Sequence, residues 1–385
     1  MSGYVLRVPP TIHYGEKASS LAGAVAKRFG TSKVFIITDN FLASSGAIKA
    51  VTGPLEEAGV SFEIFSEVNQ EPTLAHVTEG LARLKQSGAG AIVACGGGSP
   101  IDVAKAVSAM AVNPGRIQDY MGADKFEKDG LPVIAVPTTA GTGSEATAVT
   151  IITDTERDVK MLISSPRIMP RAALVDPLLT LGMPKGLTAA TGLDALTHAI
   201  EAYVSRRAQP MTDLLALNAI GLIAKNLPLA WAEPNNTEAR GHTMLGALQA
   251  GIAFSNASVA LVHGMSRPVG ALFHIAHGVS NAALLGVVMD FSLSGNYERY
   301  AEVALAMGLP DLGEARRTAE SGAARVREII RQLEVPSLTQ LGVTREKLAP
   351  VADKMAEDAL ASGSPANNPR LASKAEIIDL YYQAL

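Results

Sequence analysis

Three short runs in the first half of the chain are apolar at every position: Val34-Phe35-Ile36-Ile37 (followed by Thr38), Ala91-Ile92-Val93-Ala94-Cys95 and Val133-Ile134-Ala135-Val136. A strand with one wet face alternates apolar and polar residues. A strand that is apolar throughout is covered on both sides, as in a parallel sheet flanked by helices. The stretches Ser19–Phe29, Leu74–Gln86 and Ile101–Ala111 fill the gaps with amphipathic helical spacing. The resulting βαβα order predicts a doubly wound, Rossmann-like α/β domain. From about Pro184 the pattern changes to long Ala- and Leu-rich stretches such as Thr212–Asn226 and Ala315–Leu333, which predict an all-helical second domain. The expected boundary is Gly182-Met183-Pro184, giving domains 1–183 and 184–385, since glycine closes one element and proline opens the next. Ala361–Pro369, rich in Ser, Asn and Pro, is expected to be a local loop.

Charge and cysteine usage exclude several functions. The 385 residues carry 33 Lys+Arg against 37 Asp+Glu, so no basic surplus points to nucleic acid or an anionic membrane. A single cysteine rules out an intramolecular disulfide and a thiolate metal site. Met1 to Tyr14 has no basic stretch followed by an apolar one, so a cytoplasmic protein without a signal peptide is the expectation. Gly241 to Ser266 lacks Asp, Glu, Lys and Arg, but its His242, Gln249, Asn256 and His263 suit a helix buried in protein better than one in lipid.

Two loops carry nucleotide-binding chemistry. Gly96-Gly97-Gly98-Ser99-Pro100-Ile101-Asp102 follows an apolar strand and opens a helix. Glycines permit close backbone approach, Ser99 can cap, Pro100 suits the first helical position and Asp102 the first turn. The free N–H groups of such a helix start suit a pyrophosphate. The second loop, Pro137-Thr138-Thr139-Ala140-Gly141-Thr142-Gly143-Ser144-Glu145, would sit at the carboxyl edge of the sheet, where ligands bind, or serve as a solvent loop with a helix cap. Asp39, after the first strand, suits either an adenosine ribose or the cap of the next helix; the first role would favour NAD over NADP.

A metal constellation lies in the second half. Asp194 and His198 are spaced i, i+4 and share a helix face. His263 ends the uncharged stretch and His277 follows fourteen residues later. Along one straight helix that is about 21 Å, so a shared ion requires a turn, which Pro268 and Gly270 could supply. Each histidine precedes a glycine, Gly264 and Gly278. One carboxylate with three imidazoles suits Fe2+ or Zn2+.

Taken together, Gly96–Pro100, Pro137–Thr142, the stretch from Met183 to His198, Leu261-Val262-His263-Gly264-Met265, His277-Gly278-Val279-Ser280-Asn281-Ala282 and Asn368-Pro369-Arg370 resemble the iron-dependent (group III) alcohol dehydrogenases over nearly the whole chain. The resemblance implies a dehydroquinate synthase-like architecture and hydride transfer between a small alcohol and a nicotinamide cofactor in an interdomain cleft. It places Gly97, Gly98 and Ser99 on the pyrophosphate, and Thr138, Thr139, Thr142, Thr147, Val149 and Lys160 along the cofactor. Leu179 and Gly182 come near its adenosine end, and Asp39 matches the acid linked to NAD preference. Asp194, His198, His263 and His277 match the metal ligands, with Fe2+ expected and Zn2+ the alternative, and Phe254 matches a residue of the substrate pocket. A homodimer or higher homo-oligomer is also implied. Arg267 stands where many members carry a proton-relaying histidine. It suggests either a structural ion pair or an anchor for an anionic aldehyde, with a hydroxyacid–oxoacid transhydrogenase as the neighbouring alternative. His274 is a candidate substitute relay or a helix-edge residue, and Glu71 replaces a common asparagine.

Overall fold

The computed structural model describes residues 3–69, 71–157 and 159–385. The chain divides into two compact units, Arg7–Gly182 and Met183–Leu385, and the described residues before Arg7 group with the second. The division falls one residue before the expected one, and the first few residues leave the α/β unit to which the sequence assigned them.

Among its described residues the first unit carries nine strands: β1 (Thr11–Tyr14), β2 (Lys33–Ile37), β3 (Ser61–Phe65), β4 (Ala91–Gly96), β5 (Gly122–Ala123), β6 (Val133–Pro137), β7 (Val149–Asp154), β8 (Val159–Ser164) and β9 (Ala172–Val175). Six form a parallel sheet in the order β1-β9-β6-β4-β2-β3. Helices α1 (Ala22–Arg28), α2 (Asn40–Ser45), α3 (Lys49–Glu57), α4 (Leu74–Ser87) and α5 (Gly98–Met110) accompany it. Neighbouring residues on a strand enter opposite cores: Phe35, Ile37, Ile92 and Ala94 join one cluster, while Val34, Ile36, Val93 and Cys95 join the other. This two-sided burial is the physical reason for strands that are apolar at every position. The small sheet β5-β8-β7, with an antiparallel β7/β8 hairpin, was not foreseen. β7 alternates half-buried and buried residues, the mark of a strand covered on one face.

In the second unit every element among the described residues is helical, led by α6 (Lys185–Val204), α7 (Pro210–Ala232), α8 (Thr237–Ala257), α9 (Leu261–Phe273) and α10 (His277–Ser292). Small residues let these helices close on one another. A Cβ on Gly192 of α6 would lie 2.2 Å from Leu227 of α7, and one on Gly278 of α10 would lie 2.5 Å from the Ala190 carbonyl of α6. Helices Pro210–Ala232 and His277–Gly295 are apolar and long enough to cross a membrane by length and composition; here α7 packs along α8 and α10 along α6.

Two expectations about this unit change. Gly241–Ser266 is not one helix: α8 ends at Ala257, α9 starts at Leu261, and their axes bend by 102°. The corner is made by Ser258, whose φ of 67° lies in the left-handed region and whose hydroxyl is held by Asn367 Nδ2 at 3.1 Å. Pro268 and Gly270 do not break the chain between the two histidines; both lie inside α9. The break comes at His274, which caps α9 in the left-handed conformation at φ 55° and leads through Ile275 and Ala276 into α10.

Candidate functional site

α6 carries Asp194, His198 and Glu201 at spacings that put them on one face of the helix, and all three are buried. The bend between α8 and α9 delivers buried His263, and His277 is the first residue of α10. The close α6–α10 approach allowed by Gly278 sets His277 beside Asp194. Gly264 has the same function next to His263, since a Cβ there would lie 2.7 Å from Pro365 Cγ.

Ligating atoms of Asp194, His263 and His277 all lie within 4.8 Å of one another. His263 Nε2 is 3.5 Å and His277 Nε2 3.8 Å from Asp194 Oδ1. Two donors about 2.1 Å from one ion at a tetrahedral angle would be about 3.4 Å apart, so the trio fits a small divalent cation. His198 lies beside the trio. Its Nδ1 is 3.9 Å from the other Asp194 oxygen, Oδ2, and its ring stacks on His263 at 4.4 Å and on Phe254 at 4.1 Å. Phe254 thus forms a wall of the site. Burial pushes the Asp194 carboxyl up, but the charges of His198, His277 and His263 outweigh it and hold the group well below the usual carboxylate range. Burial pulls His263 down, yet Glu201 and Asp194 together carry it up to about 9.

Two residues of the site escaped the sequence reading. Asn281 is fully buried on α10, and its amide nitrogen is 2.6 Å from Asp194 Oδ1, 3.1 Å from His263 Nε2 and 3.2 Å from His277 Nε2. Glu201 Oε2 lies 2.6 Å from His263 Nδ1. Their spacings, i+4 from His277 and i+7 from Asp194, were the available signals. Arg267 is half-buried, and its Nη1 donates to Ser364 Oγ at 3.2 Å. It makes no ion pair among the described residues; burial lowers its pKa and the charge of Glu201 opposes that shift. His274 is exposed.

In the first unit β4 runs into α5 through Gly96 and Gly97. Gly97, not Ser99, occupies the cap position of α5, and no side chain bonds the first-turn N–H groups from there. The hydroxyl loop packs onto this turn: a Cβ on Gly98 would lie 2.8 Å from Thr142 Cγ2, and Thr138 N donates to the Gly96 carbonyl at 2.9 Å. Thr139 packs near Gly97.

Asp102 faces the protein. Its Oδ1 accepts from Ser144 Oγ and its Oδ2 from Ile151 N at 2.8 Å. One turn on, fully buried Lys105 donates to Ser144 Oγ, Thr147 Oγ1 and the Val149 carbonyl, each at 2.8 Å. Burial lowers the pKa of Lys105 to about 8 against the pull of Asp102 and Glu145. Lys160 pairs with Glu71 at 2.7 Å. Asp39 caps α2, its Oδ1 accepting from Leu42 N at 2.8 Å. Leu179 lies in the short 3-10 turn Pro177–Thr180, and Gly182 ends the unit.

Sequence models for "Iron-containing alcohol dehydrogenase" match residues 9–177, and those for the C-terminal part of the Fe-containing alcohol dehydrogenase family match residues 188–385. This chain belongs to the iron-containing alcohol dehydrogenase family. It is 38% identical over 380 residues to an NAD-dependent methanol dehydrogenase of Bacillus methanolicus, covering 98% of this chain and 99% of that one. It is 39% identical over 381 residues to a 1,3-propanediol dehydrogenase of Klebsiella pneumoniae, covering 98% and 97%. A solved 1,3-propanediol oxidoreductase superposes with a TM-score of 0.96 at 38% identity, over 100% of both chains. The chain is therefore an oxidoreductase of the alcohol dehydrogenase class that interconverts small alcohols and aldehydes. These relatives do not favour the transhydrogenase or anionic-aldehyde alternative built on Arg267.

Proposed function

We propose that this iron-containing alcohol dehydrogenase uses NAD in preference to NADP and Fe2+ in preference to Zn2+ to oxidise a small alcohol to its aldehyde, and to run the reverse reduction. The observation that carries the reading is the convergence of Asp194, His263 and His277, with His198 stacked beside them. When bound, the ion supplies Lewis acidity at the alcohol oxygen and the nicotinamide supplies the hydride acceptor.

The chain's own residues do the rest. Asp194, His198, His263 and His277 hold the ion. Phe254 excludes water and orients the carbon chain of the substrate. The bare first turn of α5, at Gly97, Gly98 and Ser99, holds the pyrophosphate, with Thr138, Thr139 and Thr142 along it. Thr147 and Val149 give a hydroxyl and a carbonyl to Lys105, so in this reading they shape the cofactor site from behind. Asp39 retains Oδ2 for a ribose hydroxyl while Oδ1 caps α2. The only cysteine, Cys95, is buried in β4 and pushed up to about 12, which suits an inert core thiol in a cytoplasmic enzyme. A homodimer or higher homo-oligomer completes the proposal.

The test is metal analysis of anaerobically purified protein, with a panel of short alcohols and aldehydes assayed under NAD and NADP. Iron near one equivalent and faster turnover with NAD are expected. Turnover that survives complete metal removal would overturn the metal reading, and an NADP preference would overturn the role of Asp39.

A further inference from the structure

Glu201 is a carboxylate with 3% of its surface exposed, and no lysine or arginine pairs with it among the described residues. Its partners are three N–H positions at the start of α9. Oε1 accepts from Val262 N at 2.6 Å, and Oε2 accepts from Ala260 N at 2.9 Å and faces His263 Nδ1 at 2.6 Å. The first two bonds are those of a helix cap delivered from a distant helix, and the partial positive charge of the helix start offsets the buried charge.

The third contact has a different consequence. Backbone N–H groups only donate, so both Glu201 oxygens are committed as acceptors, and the carboxylate can meet Nδ1 only if Nδ1 carries the hydrogen. Nε2 of the neutral ring is then left with its lone pair, and Nε2 is the atom 3.5 Å from Asp194 Oδ1. We propose that Glu201 is a positioning residue that fixes His263 as the Nδ1–H tautomer, and that metal retention depends on it. This inference rests on the metal reading of Asp194, His263 and His277. A carboxylate behind a ligating histidine makes the ligand more basic as well as orienting it, and losing such a partner costs about 10–100-fold in metal affinity.

Glu201→Gln separates this role from simple capping. An amide has one acceptor oxygen and one donor group. If the oxygen takes Val262 N–H, the NH2 group faces Ala260 N–H and His263 Nδ1 and favours the opposite tautomer, with hydrogen on Nε2. If the oxygen takes the place of Oε2, the NH2 group faces Val262 N–H and the negative charge that makes His263 more basic is lost. Zn2+ and Fe2+ affinities are read by competition with a chromophoric chelator, and the metal-free proteins are compared by thermal melting. The expected result is about 10–100-fold weaker metal binding in the variant, a larger loss than any drop in metal-free melting temperature accounts for.

A variant that binds metal as tightly as wild type would overturn the inference while leaving the metal reading intact. A wild-type protein that takes up no metal would overturn both. Nitrogen NMR of histidine-labelled, zinc-loaded wild type needs no variant: a His263 signal with hydrogen on Nδ1 supports the assignment, and the absence of hydrogen there refutes it.

Discussion

The two units hold their ligand sites in contrasting ways. In Arg7–Gly182 the candidate cofactor site is a backbone feature, a glycine turn whose shape is set by Gly96, Gly97 and Gly98 and backed by the Lys105–Asp102–Ser144 network. In Met183–Leu385 the candidate metal site is made only of side chains, brought from α6, α9 and α10 by close helix packing and one sharp corner. A backbone site fails by steric intrusion and a side-chain site by loss of a donor, so the two should break independently.

The largest effect is expected on the side-chain site. His263→Ala should lose the metal and lower turnover by about a thousandfold or more, with NAD affinity unchanged by fluorescence titration. Metal content equal to wild type would remove His263 from the ligand set. Gly98→Ala should do the converse, because its Cβ would press on Thr142 at 2.8 Å. The KM for NAD should rise about tenfold, roughly 1.4 kcal/mol, with iron content unaltered; an unchanged KM would deny that this turn touches the cofactor. Asn281→Ala, which removes an amide lying on three candidate ligand atoms, should weaken metal binding by up to about tenfold, measured by chelator competition.

The smallest effect concerns the scaffold behind the turn. Glu145 is buried, and burial raises its pKa to about 7 although Lys105 opposes the shift. A folded-state pKa above the unfolded value means that the native protein binds more protons between the two. Glu145 therefore makes stability fall as pH rises from about 4.5 toward 7, by at most about 1.4 kcal/mol per pH unit. Glu145→Gln should flatten that slope in denaturant titrations, and parallel slopes for the two proteins would count against a buried proton on Glu145.

The same contrast explains what the sequence revealed. The glycine turn was legible because strand, turn and helix are contiguous and each part has its own residue signature. The candidate metal set was suggested by the Asp194–His198 spacing and by motif resemblance. The route by which His263 and His277 meet was not. Ala257-Ser258-Val259-Ala260 contains no glycine or proline, so nothing local announces the 102° corner. The corner persists because Asn367 and Glu201, distant in sequence, supply its hydrogen bonds. Pro268 misled for the opposite reason: it looks like a break, yet α9 continues through it. Lys105 could not be read as a scaffold residue, since its three acceptors lie on a loop and a hairpin that only the folded chain brings to it.

Phe254, His198 and His263 lie in one near-parallel stack, with successive ring centroids 4.1 and 4.4 Å apart. The proposed substrate-pocket residue and a proposed metal ligand are therefore separated by a single imidazole. Enlarging the pocket by trimming Phe254 also removes the plane on which His198 rests. If the proposed roles hold, widening the substrate range and keeping the metal compete for the same three rings, and a second compensating substitution becomes the natural route to a new specificity.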